Sequence, residues 1–345
     1  MKQLVFEDIF NNNEIFIIAE IGHNHKGSLD IAKKLFLSAK ESGVNAVKLQ
    51  KRSNKNLFTK KLYNQVYDNK NSYGKTYGEH REYLEFNEEQ YNELLIFANK
   101  LDLHFICTPF DFESVEFLKK INISAFKIAS ADLNNLLLHQ RIAEVQKPIF
   151  ISTGGGTYED IDAAYQNINK INNNISILHC TSSYPVEISD MNLNVIKELK
   201  NKYQKNLIGL SDHENGIDGA SVAYMLGARV FEKHFTLDRS WKGTDHAFSL
   251  EPHGMEKLVR NLRRIPLMLG SIDKKLLPCE VEPLKKMSKS IVAKRNIKAG
   301  SVLSLADLNF KSPGGGISPN KYNLFLGKKI KKDILEDDLL TLEMI

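Results

Sequence analysis

The sequence has little cysteine and no long apolar run. Its 345 residues include three cysteines, Cys107, Cys180 and Cys279, an odd number without close spacing. This pattern favours reduced, packed thiols over a disulfide framework or a cysteine zinc site. Acidic and amide residues interrupt each apolar stretch of residues 1–20, and we predict neither a signal peptide nor a membrane-spanning segment. The expected location is the cytoplasm.

The chain also has no large excess of charge of one sign. The net charge is +5, and the basic residues are spread along the chain rather than gathered in a tail or arm. We therefore predict no nucleic-acid or membrane partner, whereas small anionic substrates are compatible with the composition. The length and the 42% hydrophobic content favour one large domain and one small domain.

Short β-branched apolar runs alternate with amphipathic segments, which is typical of βαβ units in a parallel sheet. Eight runs are predicted strands: Ile15–Ile21, Ala46–Gln50, Phe105–Pro109, Ala125–Ala129, Pro148–Ser152, Ile175–Cys180, Leu207–Leu210 and Val230–His234. Eight such units predict an α/β fold, a (β/α)₈ TIM barrel. An open doubly wound sheet is the alternative, but no glycine-rich dinucleotide loop follows the first run.

Two segments depart from this alternation. Residues 51–86 form a long insertion rich in Asn, Tyr, Lys and Gly, followed by a predicted helix at Glu88–Leu101. An insertion of this length indicates an active-site rim. After residues 282–287 the sequence has short strands and many turns, so we predict a barrel domain of residues 1–282 and a small domain of residues 287–345.

Polar residues end nearly every predicted strand, where a (β/α)₈ barrel carries its reacting groups. Lys48 and Lys127 lie within otherwise apolar strands, and a buried ammonium group needs an anionic partner. We interpret them as part of a phosphate and carboxylate pocket, to which hydroxyl groups would contribute from Thr108, Ser130, Ser152 and Ser211. The alternative is that each lysine reaches solvent or pairs with a barrel glutamate such as Glu20 or Glu232.

Two histidines end the last two predicted strands. Because these strands are neighbours, His213 and His234 would lie close enough to share one divalent metal ion, with water and substrate oxygens as further ligands. The alternative is that both histidines only form hydrogen bonds within the core.

The motifs along the chain resemble one family. They are AEIGHNHKGSLDIAKKL, VKLQK, FKIASAD, ISTGG, HCTSSYPVEISDMNL, GLSDHENGI, EKHFTLDRSWKGTDHAFSLEP and KSIVAKRNIKAG. In this order and spacing they resemble the sialic acid synthases, which include the legionaminic and pseudaminic acid synthases. The segments SYGKTYGEHREYLEF and KLLPCE look more like the animal 9-phosphate branch. The segment from Ser288 resembles the antifreeze-like (SAF) domain that ends these enzymes.

The resemblance implies a transferase that joins phosphoenolpyruvate to an aldehyde sugar. It assigns a phosphoenolpyruvate pocket to Lys48, Thr108, Lys127, Ser130, Ser152, Ser182 and Ser211, with His213 beside them. It makes His213 and His234 the ligands of Mn²⁺, Mg²⁺ or Co²⁺. Glu20 is the candidate general base for the attacking water, unless it only pairs with Lys48 or Lys127. Asp245 and Tyr184 match positions that contact the acceptor, although Asp245 could also be an ordinary loop residue.

The acceptor implied by the resemblance is N-acetylmannosamine or its 6-phosphate. Basic residues in or near the insertion would bind a terminal phosphate, or would only form a solvated rim: Lys51, Arg52, Lys75, His80 and Arg81. Ser312 replaces an arginine that contacts the acceptor's acyl group in the bacterial branch. This replacement weakens the inference of acyl recognition and of a domain-swapped homodimer, which we nevertheless expect.

Three other functions compete with this one. The same chemistry on another acceptor would give legionaminic, pseudaminic or deaminated sialic acid. A related synthase would make a shorter 3-deoxyulosonic acid, but the antifreeze-like segment disfavours it. A non-catalytic carbohydrate- or ice-binding protein would leave the polar strand ends unexplained.

Overall fold

The computed structural model describes residues 14–345, and its larger part is a closed barrel of eight parallel strands. The strands are β1 Phe16–Gly22, β2 Ala46–Lys51, β3 His104–Pro109, β4 Ala125–Ile128, β5 Ile149–Ser152, β6 Ile175–Cys180, β7 Leu207–Asp212 and β8 Val230–His234. Each strand pairs with the next, and β1 pairs with β8 to close the barrel. The TIM-barrel prediction is confirmed.

Helices follow the strands and cover the outside of the barrel. Those after or between strands are Leu29–Glu41, Glu88–Lys100, Phe112–Ile121, Leu136–Ala143, Tyr158–Asn169, Asn194–Lys202, Asp218–Met225 and Pro252–Leu269. Their apolar faces pack on the outward side chains of the strands in one large core. The insertion between β2 and β3 contains three shorter helices, Asn54–Leu57, Lys60–Tyr63 and Tyr77–Tyr83.

The inside of the barrel is apolar at one end and polar at the other. Side chains two residues apart on a strand point to the same side, so Phe16 and Ile18 share a face with Glu20. A second, separate core holds the inward apolar residues Phe16, Ile18, Ala46, Ile106, Ala125, Phe150, Leu178, Leu207 and Val230. On several strands the next inward-facing residue, two positions further along the chain, is polar: Lys48 comes after Ala46, and Lys127 after Ala125. The strand period therefore places these polar side chains above an apolar floor.

The chain divides into two compact units at Leu269 and Gly270. The second unit contains the helix Val281–Met287 and two antiparallel strands, β9 Ser290–Ala293 and β10 Leu308–Lys311. Its own small core consists of Ile291, Ala293, Ile297, Leu303, Leu308, Phe325, Ile330, Ile334 and Leu340. The boundary predicted at residues 282–287 stays a prediction.

No helix within the described residues is long and apolar enough to cross a membrane. The prediction that the chain lacks a leader concerns residues 1–20, and residues 1–13 of these lie outside the described part.

Candidate active site

One cavity of about 580 Å³ opens at the carboxyl ends of the barrel strands. Its lining includes the residues that the sequence assigned to the catalytic, phosphoenolpyruvate, acceptor and metal sites, apart from several basic residues of the insertion: Glu20, Lys48, Arg81, Thr108, Lys127, Ser130, Ser152, Ser182, Tyr184, Ser211, His213, His234 and Asp245. Their strands bring them together because the barrel closes, so that Glu20 lies in register with both Lys48 on β2 and His234 on β8. The roles assigned to them stay predictions.

Two lysines and two glutamates form an ionic layer at the bottom of this cavity. Lys48 Nζ is 2.7 Å from Glu20 Oε2 and 3.7 Å from Glu232 Oε1. Lys127 Nζ is 3.6 Å from Glu232 Oε1 and also donates a hydrogen bond to Ser152. All four charged side chains are at least 95% buried. Both lysines therefore pair with barrel glutamates, as the alternative interpretation proposed, and both also line the cavity.

The charges of this layer change each other's protonation. Burial raises the pKa of Glu20, and the attraction of Lys48 offsets only part of that effect. Burial alone would also raise the pKa of Glu232, but Lys127 and Lys48 outweigh it and lower this pKa to about 2. Burial lowers the pKa of Lys127, against the attraction of Glu232. Glu20 is thus the better proton acceptor of the two carboxylates. An additional anion bound beside Lys127 would favour the charged form of this lysine.

Hydroxyl groups surround the lysines at the ends of β3 to β7. Lys48 Nζ donates to Thr108 Oγ1 at 3.2 Å, and Ser211 Oγ donates to Glu232 Oε1 at 3.1 Å. The backbone N–H of Gly154 donates to Ser130 Oγ at 3.0 Å. A Cβ at Gly154 would lie 2.1 Å from Ser182 Oγ and 2.8 Å from Ser130 Oγ. The absence of a side chain at Gly154 therefore lets these hydroxyls converge with its N–H group, as an anion pocket requires.

The two histidines face one another across the ends of β7 and β8. The ring centroids of His213 and His234 are 5.4 Å apart. His213 Nδ1 lies 2.9 Å from the carbonyl oxygen of Thr181, so this nitrogen donates and Nε2 keeps a free lone pair in the neutral ring. His234 Nδ1 is buried without a hydrogen-bond partner, and burial lowers the pKa of His234 to about 3.

Two neighbouring imidazoles fit a divalent metal ion. Burial alone would lower the pKa of His213, but the adjacent Cys180 and the Thr181 carbonyl raise it, so a metal ion would bind this ring in competition with a proton. Within residues 14–345, no group of three or more His, Cys, Asp or Glu side chains is arranged to hold such an ion. A metal here would therefore complete its coordination with oxygen atoms of substrate and water.

Asp245 and Tyr184 lie beside the histidines at the open side of the cavity. Asp245 Oδ2 is 4.0 Å from His234 Nδ1, and its Oδ1 accepts a hydrogen bond from Thr244 Oγ1 at 2.7 Å. The Tyr184 ring is 4.1 Å from the His213 ring and is 53% exposed. Phe248 packs against His234 at 4.9 Å between ring centroids. A polar carboxylate and two aromatic rings thus border the histidines.

The cavity lining also contains residues that were not assigned to the site from the sequence, among them Gln50, His23 and Glu232. Gln50 Nε2 donates to Glu20 Oε1 at 2.7 Å and thereby fixes this carboxylate. Gln50 could have been found by counting two residues from Lys48, because this spacing keeps a strand residue on the same face.

The basic residues of the insertion separate into two groups. Arg52 and Arg81 line the cavity. Lys51 instead pairs with Glu85 at 2.7 Å, Lys75 is exposed, and His80 is buried among tyrosine rings. Arginines rather than the whole basic cluster therefore reach the site.

The NeuB family model matches residues 35–274, and the SAF domain model matches residues 288–345. The chain belongs to the sialic acid synthase family. It is 41% identical to the human N-acetylneuraminate-9-phosphate synthase over 96% of this chain and 92% of that protein. It is 38% identical to the N,N'-diacetyllegionaminic acid synthase of Campylobacter jejuni over 94% of this chain and 98% of that protein.

A solved structure of a family member supports the same assignment. The N-acetylneuraminic acid synthetase of Leptospira borgpetersenii, crystallised with citrate, is 32% identical with a TM-score of 0.68. The match covers 79% of this chain and 91% of that one. The family and its barrel with a C-terminal SAF domain, both predicted from the sequence, are confirmed, and membership indicates that the protein is a synthase.

Proposed function

We propose that this synthase condenses phosphoenolpyruvate with the open-chain aldehyde of an N-acylated mannosamine, either free or as its 6-phosphate. The products would be N-acetylneuraminate or its 9-phosphate, and inorganic phosphate. The observation that carries the proposal is the convergence of buried lysines, hydroxyl groups and a histidine pair in one cavity. This set matches the needs of an enol phosphate on one side and an aldehyde on the other.

Phosphoenolpyruvate binds on the ionic layer in this proposal. Lys48 and Lys127 supply positive charge, and the hydroxyls of Ser130, Ser152 and Ser182 supply hydrogen-bond donors to its anionic groups. Because these groups are held by strand ends, they orient the C3 carbon before the acceptor arrives.

His213 and His234 would hold a divalent metal ion, which when bound supplies Lewis-acid polarisation of the acceptor's carbonyl oxygen. Asp245, 4.0 Å from His234, would accept hydrogen bonds from acceptor hydroxyls and orient the aldehyde. Tyr184 and Phe248 would cover the sugar and exclude bulk water.

The carbon–carbon bond forms between C3 of phosphoenolpyruvate and the aldehyde carbon, whose oxygen takes the electron pair and then a proton. Positive charge develops at C2, and water adds there while Glu20 removes its proton. The tetrahedral intermediate then loses inorganic phosphate by C–O cleavage and becomes a 2-keto-3-deoxy acid. Glu20 suits this role because burial raises its pKa while Gln50 and Lys48 fix its position.

Phosphate release tests the proposal. Purified protein is incubated with phosphoenolpyruvate, Mn²⁺ and a panel of free and 6-phosphorylated mannosamine derivatives, and the keto acid is identified by mass spectrometry. We expect phosphate and a nine-carbon keto acid in equal amounts with an N-acylmannosamine acceptor. An eight- or seven-carbon product, or no phosphate with any acceptor, would contradict the proposal.

A second acceptor class has specific support. Relatives at 38% and 34% identity are named N,N'-diacetyllegionaminic acid synthase and pseudaminic acid synthase. Turnover of acceptor sugars that lead to legionaminic or pseudaminic acid, without turnover of mannosamine derivatives, would favour that class with the same chemistry.

A further inference from the structure

A buried ion pair lies on the outer side of β7 and β8, directly behind the two histidines of the cavity. Lys233 Nζ is 2.6 Å from Asp212 Oδ2, and both side chains are at most 3% exposed. Successive side chains of a strand alternate between the two sides of the barrel wall. Asp212 therefore points outward next to the inward-facing His213, and Lys233 does the same next to His234. Neither charged residue belongs to the cavity lining.

The surroundings of this ion pair are apolar. The outward-facing residues that precede it on the two strands, Leu210 and Phe231, belong to the large outer core. Two charges in such surroundings lose their hydration, and replacing a buried ion pair by apolar residues of similar volume is often neutral or stabilising. The stability of the fold therefore does not account for the pair. Because a buried lysine charge must stay beside its partner oxygens, the pair instead defines a geometry.

The ion pair continues the connection between β7 and β8 beyond the end of their ladder. Asp212 and Lys233 are the last residues of the two strands that pair with each other. Lys233 Nζ also donates to the backbone carbonyl oxygen of Glu214, and the backbone N–H group of Glu214 donates to Asp212 Oδ1 at 2.9 Å. His213 therefore lies between two residues that the pair holds. The turn that carries His213 is thereby tied to the residue directly before His234.

Contacts on the cavity side do not by themselves set the distance between the two imidazole rings. His213 Nδ1 lies 2.9 Å from the carbonyl oxygen of Thr181, which belongs to the loop after β6 rather than to β8. His234 Nδ1 has no hydrogen-bond partner in the described structure. The backbones of β7 and β8 therefore set the ring separation of 5.4 Å, and the ion pair ties these backbones together at the level of the rings.

We propose that Asp212 and Lys233 are positioning residues, which clamp the ends of β7 and β8 together and fix the separation of the two histidine rings for a shared divalent ion. The inference rests on the proposed function, in which His213 and His234 hold this ion. An imidazole nitrogen binds such an ion at about 2 Å, and the ligands of a site must be held to within about 0.5 Å. Loss of the clamp should therefore weaken metal binding although both ligands remain.

Removal of both charges together tests the proposal. The double variant Asp212→Asn/Lys233→Met avoids the unpaired buried charge that a single substitution would leave behind. Asp162→Asn/Lys202→Met makes the same exchange in an exposed ion pair and is the matched control. We expect calorimetry to show Mn²⁺ binding weakened by about 10- to 100-fold in the first variant, the usual effect of changing a residue that supports a metal ligand. The control should bind Mn²⁺ as wild type does.

The dependence of turnover on Mn²⁺ separates positioning from stability. Activity that is lost because the rings are misplaced should return at high Mn²⁺ concentration, whereas activity that is lost through unfolding should not. KM for phosphoenolpyruvate at saturating Mn²⁺ should stay close to that of wild type. Circular dichroism measures the folded fraction of each protein. Unchanged Mn²⁺ affinity in the folded Asp212→Asn/Lys233→Met variant would overturn the proposal.

Crystal structures without metal make the test independent of the proposed function. We expect the separation of His213 and His234 to differ between wild type and the Asp212→Asn/Lys233→Met variant, and an equal separation would overturn the clamp. A changed separation, together with a wild type that binds no Mn²⁺, would support the clamp and contradict the metal role alone.

Hydrogen exchange of wild type provides a measurement that does not need the variant to fold. The backbone N–H group of Glu214 is bonded to Asp212 Oδ1, so the clamp predicts that this amide exchanges slowly. Exchange of the Glu214 amide at the rate of an unprotected amide would overturn the proposal.

Discussion

Lys48 Nζ and Glu20 Oε2 are 2.7 Å apart, and both side chains are at least 97% buried. Gln50 holds the other oxygen of the same carboxylate at 2.7 Å. The ion pair places a charged lysine and a carboxylate with a raised pKa at the same point of the cavity. One group can attract an anionic substrate while the other accepts a proton, and the two functions can be separated by mutation.

Replacing Glu20 with glutamine should remove the base but keep the shape of the site. We expect kcat to fall by about 10²- to 10⁴-fold, the usual contribution of a general base, with little change in KM for phosphoenolpyruvate. Steady-state phosphate release measures both constants. The exposed Glu198→Gln serves as the control. If Glu20 only pairs with Lys48, the variant will keep most of its kcat.

Replacing Lys127 with alanine should weaken binding of phosphoenolpyruvate more than binding of the sugar. Lys127 lies beside Ser152 and 3.6 Å from Glu232, within the predicted anion pocket. Loss of one charged hydrogen-bonding partner should raise KM for phosphoenolpyruvate by about 10- to 100-fold. The exposed Lys119→Ala should leave it unchanged. An unaltered KM in Lys127→Ala would remove this residue from the pocket.

Replacing His234 with alanine should abolish metal-dependent turnover without unfolding the barrel. His234 Nδ1 has no hydrogen-bond partner in the described structure, so few interactions are lost other than ring packing. Calorimetry should detect weaker Mn²⁺ binding, and circular dichroism should show an intact fold. The exposed His253→Ala is the matched control. Full activity of chelator-treated His234→Ala would refute the metal assignment.

Acid should destabilise the protein partly through Glu232. Its pKa is lowered from 4.5 to about 2 by Lys127 and Lys48, against the effect of burial. A lowered pKa stabilises the fold above the unfolded value of 4.5, and this stability is lost as pH falls towards 2. We expect the free energy of unfolding of wild type to fall more steeply than that of Glu232→Gln between about pH 5 and pH 3. Urea titrations at both pH values measure the difference, with Glu198→Gln as the control; parallel profiles would exclude this role of Glu232.

The barrel could be predicted because the sequence pattern that marks each of its strands is local and periodic. Each predicted strand agrees with the structure to within two residues at either end, since apolar runs and strand periodicity identify buried parallel strands. Lys48 and Lys127 stood out because a cation in an apolar run is unusual. Once the fold is a closed barrel, the ends of all eight strands lie side by side, so no further sequence signal was needed to bring these residues together.

The positions of Arg52 and Arg81 in the cavity lining could not be predicted in the same way. Residues 51–86 have no strand or helix period, and tertiary contacts set their course, such as Gly78 packed so closely on the Tyr63 ring that a Cβ would lie 2.5 Å from it. The sequence therefore named five basic residues without separating Arg52 and Arg81 from Lys51, Lys75 and His80. The predicted homodimer and the consequence of Ser312 stay predictions.

The apolar layer below the ionic layer has a kinetic consequence. The buried apolar cluster that includes Phe16, Ile18 and Phe150 fills the other end of the barrel, so substrates and products would enter and leave through the same opening. Phosphoenolpyruvate bound to Lys48 and Lys127, as we propose, would occupy the deeper position, and a sugar bound above it would obstruct its entry and departure. Binding should then be compulsory in order, with the enol phosphate arriving first, and a non-reactive sugar analogue should inhibit uncompetitively when phosphoenolpyruvate is varied.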